Sequence, residues 1–297
     1  MGNKSNTGSK PKLACEIAAD RVLAGRLSDG GNTVECASFE LRGGCVVPDL
    51  TESNVRDQTT VFHTIRDTLD SVSGRSRDVI AVLPDAAVRV VLLDFEALPS
   101  NRQEAEAVVR FRLKKSLPFD IEKARVSYHA HAAAGGVRAV AAVALTSIIE
   151  EYEAAFREAG YNPGFVLPST LAALGAADAS RPALVVKVDE HTTSIVILDQ
   201  QQVLLFRTLE NARGVAITGE QLAEEVYPSV VFFQDTYHTN IDKIFVAGLP
   251  RMGEASPALQ AQTGAQVREL VGALQFDDSA SSIPKWRMAG IVGALAS

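Results

Sequence analysis

The sequence has few cysteines and no long uncharged apolar run. Its three cysteines, Cys15, Cys36 and Cys45, show no C-x-x-C spacing, and an odd number argues against a disulfide framework. Buried, reduced thiols are therefore expected. No segment reaches the roughly 18 apolar residues of a membrane-spanning helix, and residues 1–12 lack the apolar stretch of an export signal. The pattern predicts a cytoplasmic protein with a disordered tail at 1–12.

Positive charge and familiar catalytic motifs are also scarce. The chain has 29 Lys and Arg against 36 Asp and Glu, a formal net charge of -7, so it offers no broad attraction for a nucleic-acid backbone. It contains no G-x-S-x-G elbow and no Walker loop. His129 and His131 share one face of a predicted strand, but no third ligand accompanies them, and a metal site is not expected.

Strand and helix patterns fill the chain. The 297 residues are 46% hydrophobic, enough for one large core or two moderate ones. Alternating apolar residues predict strands over Leu13–Leu27 and Val34–Leu41, joined at Gly30-Gly31. Apolar residues at helical spacing predict a helix over Val55–Val72.

Residues 78–167 have the pattern of an α+β module with the order strand, strand, helix, strand, strand, helix. Its first helix is predicted to begin at a Ser100/Gln103 capping box and to end before Pro118. Its second is predicted to begin at Ser147 and to end at Gly160.

The remainder repeats the strand and helix types of the start. Three consecutive strands are predicted within residues 183–210. A helix over Thr218–His238 follows, with a Thr218/Gln221 cap and with Pro228 inside it, which predicts a kink. A buried strand, a helix near Ser256–Thr263, a further strand and a closing helix over Trp286–Leu295 complete the chain.

Both halves thus begin with a hairpin followed by a strand and a helix, which indicates a duplicated fold with the module inserted in the first half. The chain contains ALPSNRQEAEAVVRFRLKKSLPFDIEKARVSYHAHA, then VRAVAAVALTSIIEEYEAAFREAGYNPGFVLPSTLAAL, and MAGIVGAL near its end. In these stretches and their order it resembles the PilM family of type IV pilus assembly proteins, actin-like folds related to FtsA and to the cytoplasmic domain of GspL. The resemblance extends from Leu13 to Leu295.

The resemblance implies a two-lobed α/β protein of the actin-like, ribonuclease H-like duplicated fold with an inserted α+β module. The first actin-like subdomain would occupy 13–77, completed by 168–182 and 284–297. The inserted module would occupy 78–167, and the second subdomain 183–283.

Relatives that bind ATP do so between the halves, on D-x-G-x-x-x-(S/T) loops and a later glycine pair. Glycine lets backbone N–H groups approach phosphate, and the carboxylate holds Mg²⁺. The positions that the resemblance assigns to this site are Glu16, Ala18 and Asp20 in the first loop, Lys187, Asp189, Thr192 and Thr193 in the second, and Gly248 in the third.

Departures from the loop pattern predict a degraded nucleotide site. Lys187 stands in place of aspartate, and Asp189 in place of glycine. Asp189 and Glu190 would repel a triphosphate, each charge pair by about 1 to 4 kcal/mol at contact. No cofactor is therefore expected. The alternative is an altered site for ATP and Mg²⁺ that uses Glu16, Lys187, Thr192 and Thr193.

The resemblance also implies a partner, the cytoplasmic N-terminal tail of a PilN-like membrane protein, in a groove between the module and the first subdomain. The expected binding residues are basic residues of the first module helix and a neighbouring leucine: Arg110, Arg112, Lys114 and Leu117. The alternative for this cluster is a solvated helix end that favours the helix dipole.

The function implied is a non-catalytic cytoplasmic scaffold, held at the inner membrane by its partners in a pilus or related secretion platform. Contact with the motor and self-association belong to the same expectation. The alternative is a nucleotide-dependent, actin-like ATP-binding assembly protein. A sugar-kinase-like enzyme would share the fold, but the sequence offers no evident catalytic carboxylate.

Overall fold

A computed structural model describes residues 10–28, 34–72, 74–212, 216–272 and 283–297. In chain order its elements are β1 (Leu13–Ile17), β2 (Arg21–Leu27), β3 (Val34–Glu40), α1 (Gln58–Asp70), β4 (Asp78–Leu83), β5 (Arg89–Phe95), α2 (Arg102–Leu113), β6 (Ala124–Ala133), β7 (Gly136–Leu145), α3 (Thr146–Glu158), β8 (Asn162–Pro168), α4 (Ser169–Ala173), β9 (Ala183–Val188), β10 (Thr192–Asp199), β11 (Gln202–Glu210), α5 (Gly219–Tyr237), β12 (Lys243–Ala247), α6 (Met252–Thr263), β13 (Gln266–Glu269) and α7 (Ala289–Ala296).

Two five-stranded sheets form the centres of two lobes. The first lobe has the strand order β3-β2-β1-β4-β8, and the second has the order β11-β10-β9-β12-β13. In each sheet, the first strand of a hairpin pairs antiparallel with its hairpin partner and parallel with a later strand, β4 or β12. The same arrangement occurs twice, as the duplicated sequence pattern predicts.

One apolar core extends across both lobes. Ala14 and Ile80 from the first sheet belong to the same buried cluster as Val185 and Phe245 from the second. Helices α4 and α7 pack within this cluster, where a Cβ atom on Gly293 of α7 would lie 2.1 Å from the carbonyl oxygen of Ala172. The two helices therefore meet at backbone distance, and only glycine fits there.

The inserted module is smaller than the sequence predicts. Its sheet has the order β5-β7-β6, and α2 covers one face through residues such as Val109 and Leu113. The predicted boundaries, 78–167, are wrong at both ends, because β4 and β8 pair in the first-lobe sheet. Helix α3 also belongs to the first lobe, where Tyr152 and Phe156 pack with Ile65 of α1.

Helix starts follow the local capping chemistry in part. The Thr218/Gln221 capping box of α5 is confirmed. Helix α2 is capped by Asn101 rather than by Ser100, and α3 begins at Thr146 without a side-chain cap. Helix α1 begins at Gln58 after Asp57, because Val55 instead pairs with Val46 in an isolated bridge.

Two predicted features fall outside the described residues: the Gly30-Gly31 turn, and residues 1–9 of the predicted tail. All three cysteines are free, and Cys15 and Cys45 are buried. Within the part of the chain that the structure describes, no helix combines the length and apolar character needed to cross a membrane.

Candidate functional site

A cleft of about 1050 Å³ lies between the two lobes. The β1–β2 and β9–β10 turns face each other across it. Its other described walls are the start of α5, the connection from β12 to α6, and Trp286 with Arg287 just before α7. The cleft thus brings together the three loops that the resemblance assigned to a nucleotide site.

The β9–β10 turn is occupied by its own carboxylate. Oδ1 of Asp189 accepts hydrogen bonds from the backbone N–H of His191 at 2.9 Å and of Thr192 at 2.7 Å. The Thr192 hydroxyl also donates to Asp189, at 3.1 Å. These are the donors with which such a turn would hold a phosphate. The turn is therefore an anion site whose anion is a residue of the chain.

The remaining hydroxyl of the turn is also engaged. The hydroxyl of Thr193 donates to Oδ1 of Asn211 at 2.7 Å. The amide of Asn211 donates in turn to the backbone carbonyl of Asp189 at 2.7 Å. Thr192 and Thr193, which the resemblance assigned to the nucleotide site, therefore both stabilise the turn itself.

Lys187 supplies a cation inside the same site. Its ammonium lies 3.4 Å from Oδ2 of Asp85 and 3.7 Å from Oδ2 of Asp189. Lys187 and Asp85 are both buried. Asp85 follows β4 and also accepts from the backbone N–H of Thr170 at 2.8 Å and from its hydroxyl at 2.6 Å. Asp85, Lys187 and Asp189 thus form a chain of alternating charges across the cleft floor.

Glu16 lies at the first-lobe side of this group, buried at the end of β1. Its Oε1 accepts a hydrogen bond from the hydroxyl of Ser169. In the described residues, its Oε2 has no hydrogen-bond partner, and a Cβ atom on Gly290 would lie 2.6 Å from it. Glu16 is therefore packed between α4 and α7.

Burial and charge act in opposite directions on these groups. Burial raises the pKa of Glu16 and of Asp85, although Lys187 pulls both back toward their usual range. Burial by itself would lower the pKa of Lys187, but Asp85, Asp189 and Glu16 outweigh it, and its pKa is raised. Lys187 is thus held in its charged form, as the fixed counterion of the carboxylates.

The first hairpin turn offers little to a ligand. The backbone N–H of Ala18 donates across the turn to the carbonyl of Arg21 at 2.9 Å. Asp20 pairs with the guanidinium of Arg21 at 2.7 Å and lies 3.9 Å from that of Arg287. Ala18 and Asp20 both line the cleft, where the Ala18 N–H is bonded within the turn and the Asp20 carboxylate is paired with arginine.

Gly248 has a structural reason to be glycine. Its φ is +82°, and a Cβ atom would lie 1.6 Å from the carbonyl oxygen of Val188. Its N–H donates to the carbonyl of Trp286 at 2.8 Å. Leu249 lines the cleft but packs in the second-lobe core. The loop therefore holds β9, β12 and the segment before α7 together.

Sequence reasoning did not find Asp85, Ser169 or Thr170. Asp85 comes just after a buried strand that pairs in parallel with β1, and groups at the carboxyl ends of parallel strands meet at one edge. That position was the available signal. The predicted module boundaries include Asp85, so its position beside the strands of the first lobe was not recognised.

Metal-ligand geometry is absent from the described part of the chain, where no group of three or more His, Cys, Asp or Glu residues could hold a metal ion. The rings of His129 and His131 lie 6.4 Å apart, centre to centre.

A second, smaller cavity of about 240 Å³ lies between the module and the first lobe. It is bounded by β6 and β7 on the module side and by α3 and β8 on the other. Both β6 and β8 are terminal strands in their sheets. Its described lining is mainly apolar, with Arg125 and Glu153 paired at 2.6 Å beside Ser127. We call this cavity the module groove.

The basic residues of α2 do not line the module groove. Helix α2 packs on Ala141 and Val143, and Arg125 and Ser127 of the groove alternate along β6 with Val126, which faces α2.

Arg110 pairs with Glu106 at 3.0 Å and donates to two backbone carbonyls. The guanidinium of Arg112 lies 5.3 Å from the Phe95 ring centre. Leu117 packs beside the α2 core, and Lys114 is exposed.

No protein-family model matches the chain, and no curated protein matches its sequence. Solved structures do match. The PilM-PilN type IV pilus biogenesis complex contains a chain with 18% identity and a TM-score of 0.80, over 97% of this chain and 98% of that one.

Two further structures are similar at lower scores. The cytoplasmic domain of EpsL, an inner-membrane component of the type II secretion system of Vibrio cholerae, has 10% identity and a TM-score of 0.52, over 89% of this chain and 86% of that one. A Bacteroides thetaiotaomicron protein with an actin-like ATPase fold has 11% identity and a TM-score of 0.50, over 86% and 89%. The predicted two-lobed actin-like fold, and the resemblance of the chain to PilM in that fold, are confirmed.

Proposed function

We propose that this protein is a non-catalytic scaffold on the cytoplasmic side of an inner-membrane platform, in a type IV pilus or a related secretion system. The observation that carries the proposal is the filled phosphate turn, in which Asp189 takes the N–H donors. The similarity to a chain of the PilM-PilN complex along nearly its whole length supports the assignment to such a platform.

Nucleotide binding is degraded in this proposal because side chains of the protein already occupy the groups that would bind a phosphate. The Asp189 carboxylate takes the place of a phosphate oxygen in the turn, and the Lys187 ammonium neutralises the carboxylates nearby. A triphosphate would have to displace Asp189 and then lie beside a net negative group, at about 1 to 4 kcal/mol for each charge pair.

The partner we infer is the cytoplasmic tail of a bitopic, PilN-like membrane protein, and its site is the module groove. A short extended segment fits a groove bounded by two terminal strands, because apolar anchors can enter the cavity while polar groups stay at the rim. Arg125 at the rim lies 3.5 Å from Glu150 and 2.6 Å from Glu153. The groove thus offers groups of both signs beside an apolar floor.

A labelled-peptide assay tests this function. Synthetic cytoplasmic tails of the bitopic membrane proteins encoded beside this protein would be titrated by fluorescence anisotropy. Ala142→Glu places a charge in the module groove and should abolish binding. Ala107→Glu makes the same change on exposed α2, across the module sheet, and should leave binding intact. If no tail binds, or if both variants behave alike, the groove proposal is wrong.

The alternative function is a nucleotide-dependent assembly protein, and the size of the cleft favours it. A volume of about 1050 Å³ between the lobes is at the upper end of ordinary ligand pockets, about 300 to 1,000 Å³. A thermal-shift titration with ATP and Mg²⁺ separates the two functions. A saturable rise in melting temperature supports the alternative, and an unchanged melting temperature supports the scaffold.

A further inference from the structure

The last turn of α2 carries a phenylalanine that points away from the module core. Phe111 is 71% exposed, more than any other large hydrophobic side chain of the described residues. Val109 and Leu113 on either side of it in the chain are buried in that core, and Phe111 lines neither the cleft nor the module groove. A single exposed apolar side chain is ordinary, so its surroundings decide whether it has a role.

These surroundings are basic. Residues 107–119 contain four basic and no acidic residues, in a chain with a net charge of -7. Lys114 and Lys115 follow Phe111 by three and four residues, so they lie beside it on the helix surface, and both are exposed. No described acidic side chain forms an ion pair with either lysine. We call Phe111, Lys114 and Lys115 the α2 tip.

The charge along α2 is polarised. Glu104 is in the first turn, and Glu106 is paired with Arg110 at 3.0 Å. Arg112 lies over the ring of Phe95, so the lysines are the basic residues left for an external ligand. Interaction with the helix dipole explains lysines at this end, but it gives no reason for an exposed aromatic ring between them. A ligand that is both anionic and apolar explains both.

We propose that the α2 tip binds directly to the surface of an anionic lipid bilayer. Phe111 would enter the boundary between headgroups and acyl chains, while the lysine ammonium groups stay among the lipid phosphates on their long side chains. The α2 tip is convex and borders neither described cavity, so it suits a broad surface better than a narrow peptide. One ring and two charges give a weak, reversible contact, which would add to the attachment through a partner.

This inference goes beyond the proposed function, in which a partner protein makes the connection to the membrane. Cosedimentation of the full chain with vesicles of phosphatidylcholine, alone or mixed with phosphatidylglycerol in roughly equal parts, tests it. The chain should bind the mixed vesicles only, and less as salt is added. Lys114→Gln with Lys115→Gln should lower the partition coefficient about 20-fold. Lys12→Gln with Lys285→Gln removes the same charge at exposed sites outside the module and should have little effect.

The aromatic ring is tested separately from the charge. Phe111→Ala should lower the partition coefficient about tenfold, because less apolar area leaves water. Phe232→Ala is the matched control, since Phe232 is 51% exposed on α5. Phe111→Trp should retain binding, and its indole emission should move to shorter wavelength on the mixed vesicles. Trp286 is the one tryptophan of the unaltered chain, whose emission supplies the background.

An unaltered chain that ignores the mixed vesicles overturns the proposal. So do α2 tip variants that bind as well as their matched controls, or an unchanged emission of Phe111→Trp. If the α2 tip contacts an acidic protein instead, the vesicles will not bind, and the proposal is wrong. No partner tail is present in this assay, and Ala142→Glu in the groove should bind vesicles like the unaltered chain. The groove proposal and the lipid proposal therefore fail independently.

Discussion

The ammonium of Lys187 in the second lobe lies 3.4 Å from the carboxylate of Asp85 in the first. Both side chains are buried, so the pair is protected from water and salt. An ion pair of this kind adds little stability by itself, but loss of one partner leaves a buried charge uncompensated. The two lobes are therefore joined at the cleft floor by charges that must be present together.

Lys187→Met should destabilise the fold by about 3–5 kcal/mol, because three buried or half-buried carboxylates lose their counterion. The measurement is the free energy of unfolding in urea. Lys243→Met is the matched control: its ammonium also lies 3.4 Å from an aspartate, Asp178, but this pair is on the surface. It should change stability little. Equal effects of the two substitutions would contradict the role given to Lys187.

The destabilisation in Lys187→Met should depend on pH. Burial already raises the pKa of Asp85 and Glu16, and removing the ammonium raises both further. In the window between the ordinary and the raised carboxyl pKa, the folded state then holds protons that the unfolded chain has released. Stability of the variant should therefore fall as pH rises through that window. Urea unfolding of the variant and the unaltered protein at about pH 5 and about pH 8 checks this. An equal loss in the free energy of unfolding at both pH values would contradict it.

Asp189→Gly should create anion binding in the β9–β10 turn. The substitution frees the N–H groups of His191 and Thr192, which now donate to Asp189, while Lys187 remains nearby. We expect a saturable rise in melting temperature with pyrophosphate. Glu190→Gly removes the same charge from the same turn without freeing these donors, and should bind no better than the unaltered protein. A gain in both variants would show that charge alone closes the turn.

Tyr237→Phe should loosen the module from the second lobe. Arg138 of β7 holds Asp94 at 2.6 Å and donates to the Tyr237 hydroxyl at 2.9 Å, so this bond joins the module sheet to the end of α5. Its loss should cost about 0.5–1.5 kcal/mol in the free energy of unfolding. Tyr227→Phe, on the exposed face of the same helix, should change stability less. The reverse ranking would rule out the Arg138 contact as a link between units.

Gly293→Ala should destabilise the protein by about 1–3 kcal/mol, because an added methyl group overpacks a tight contact. The Cβ atom would lie 2.1 Å from the carbonyl oxygen of Ala172, whereas at Gly253 in α6 it meets nothing within 4 Å. Gly253→Ala should be neutral or should raise the melting temperature, since alanine favours helix. Thermal unfolding of both variants distinguishes a packing effect from a general effect of the substitution.

Local signals predicted local structure well. The Thr218/Gln221 cap lies within four residues of chain and needs no distant partner. The order of strands likewise follows from alternation, and it indicated the duplicated fold that the two similar sheets show. The sequence did not predict that β4 and β8 belong to the first sheet, because an apolar run looks the same in either sheet. The Lys187–Asp85 pair joins residues 102 positions apart, and sequence spacing holds no signal for that distance.

Arg89 and Val143 are register partners on neighbouring strands β5 and β7, so the chain departs for the module and returns from it at almost the same point. A segment with closely spaced ends can be replaced by another of different length without stretching its host. The segment between Arg89 and Val143 could thus be replaced by the corresponding segment of another protein while the two lobes keep their structure.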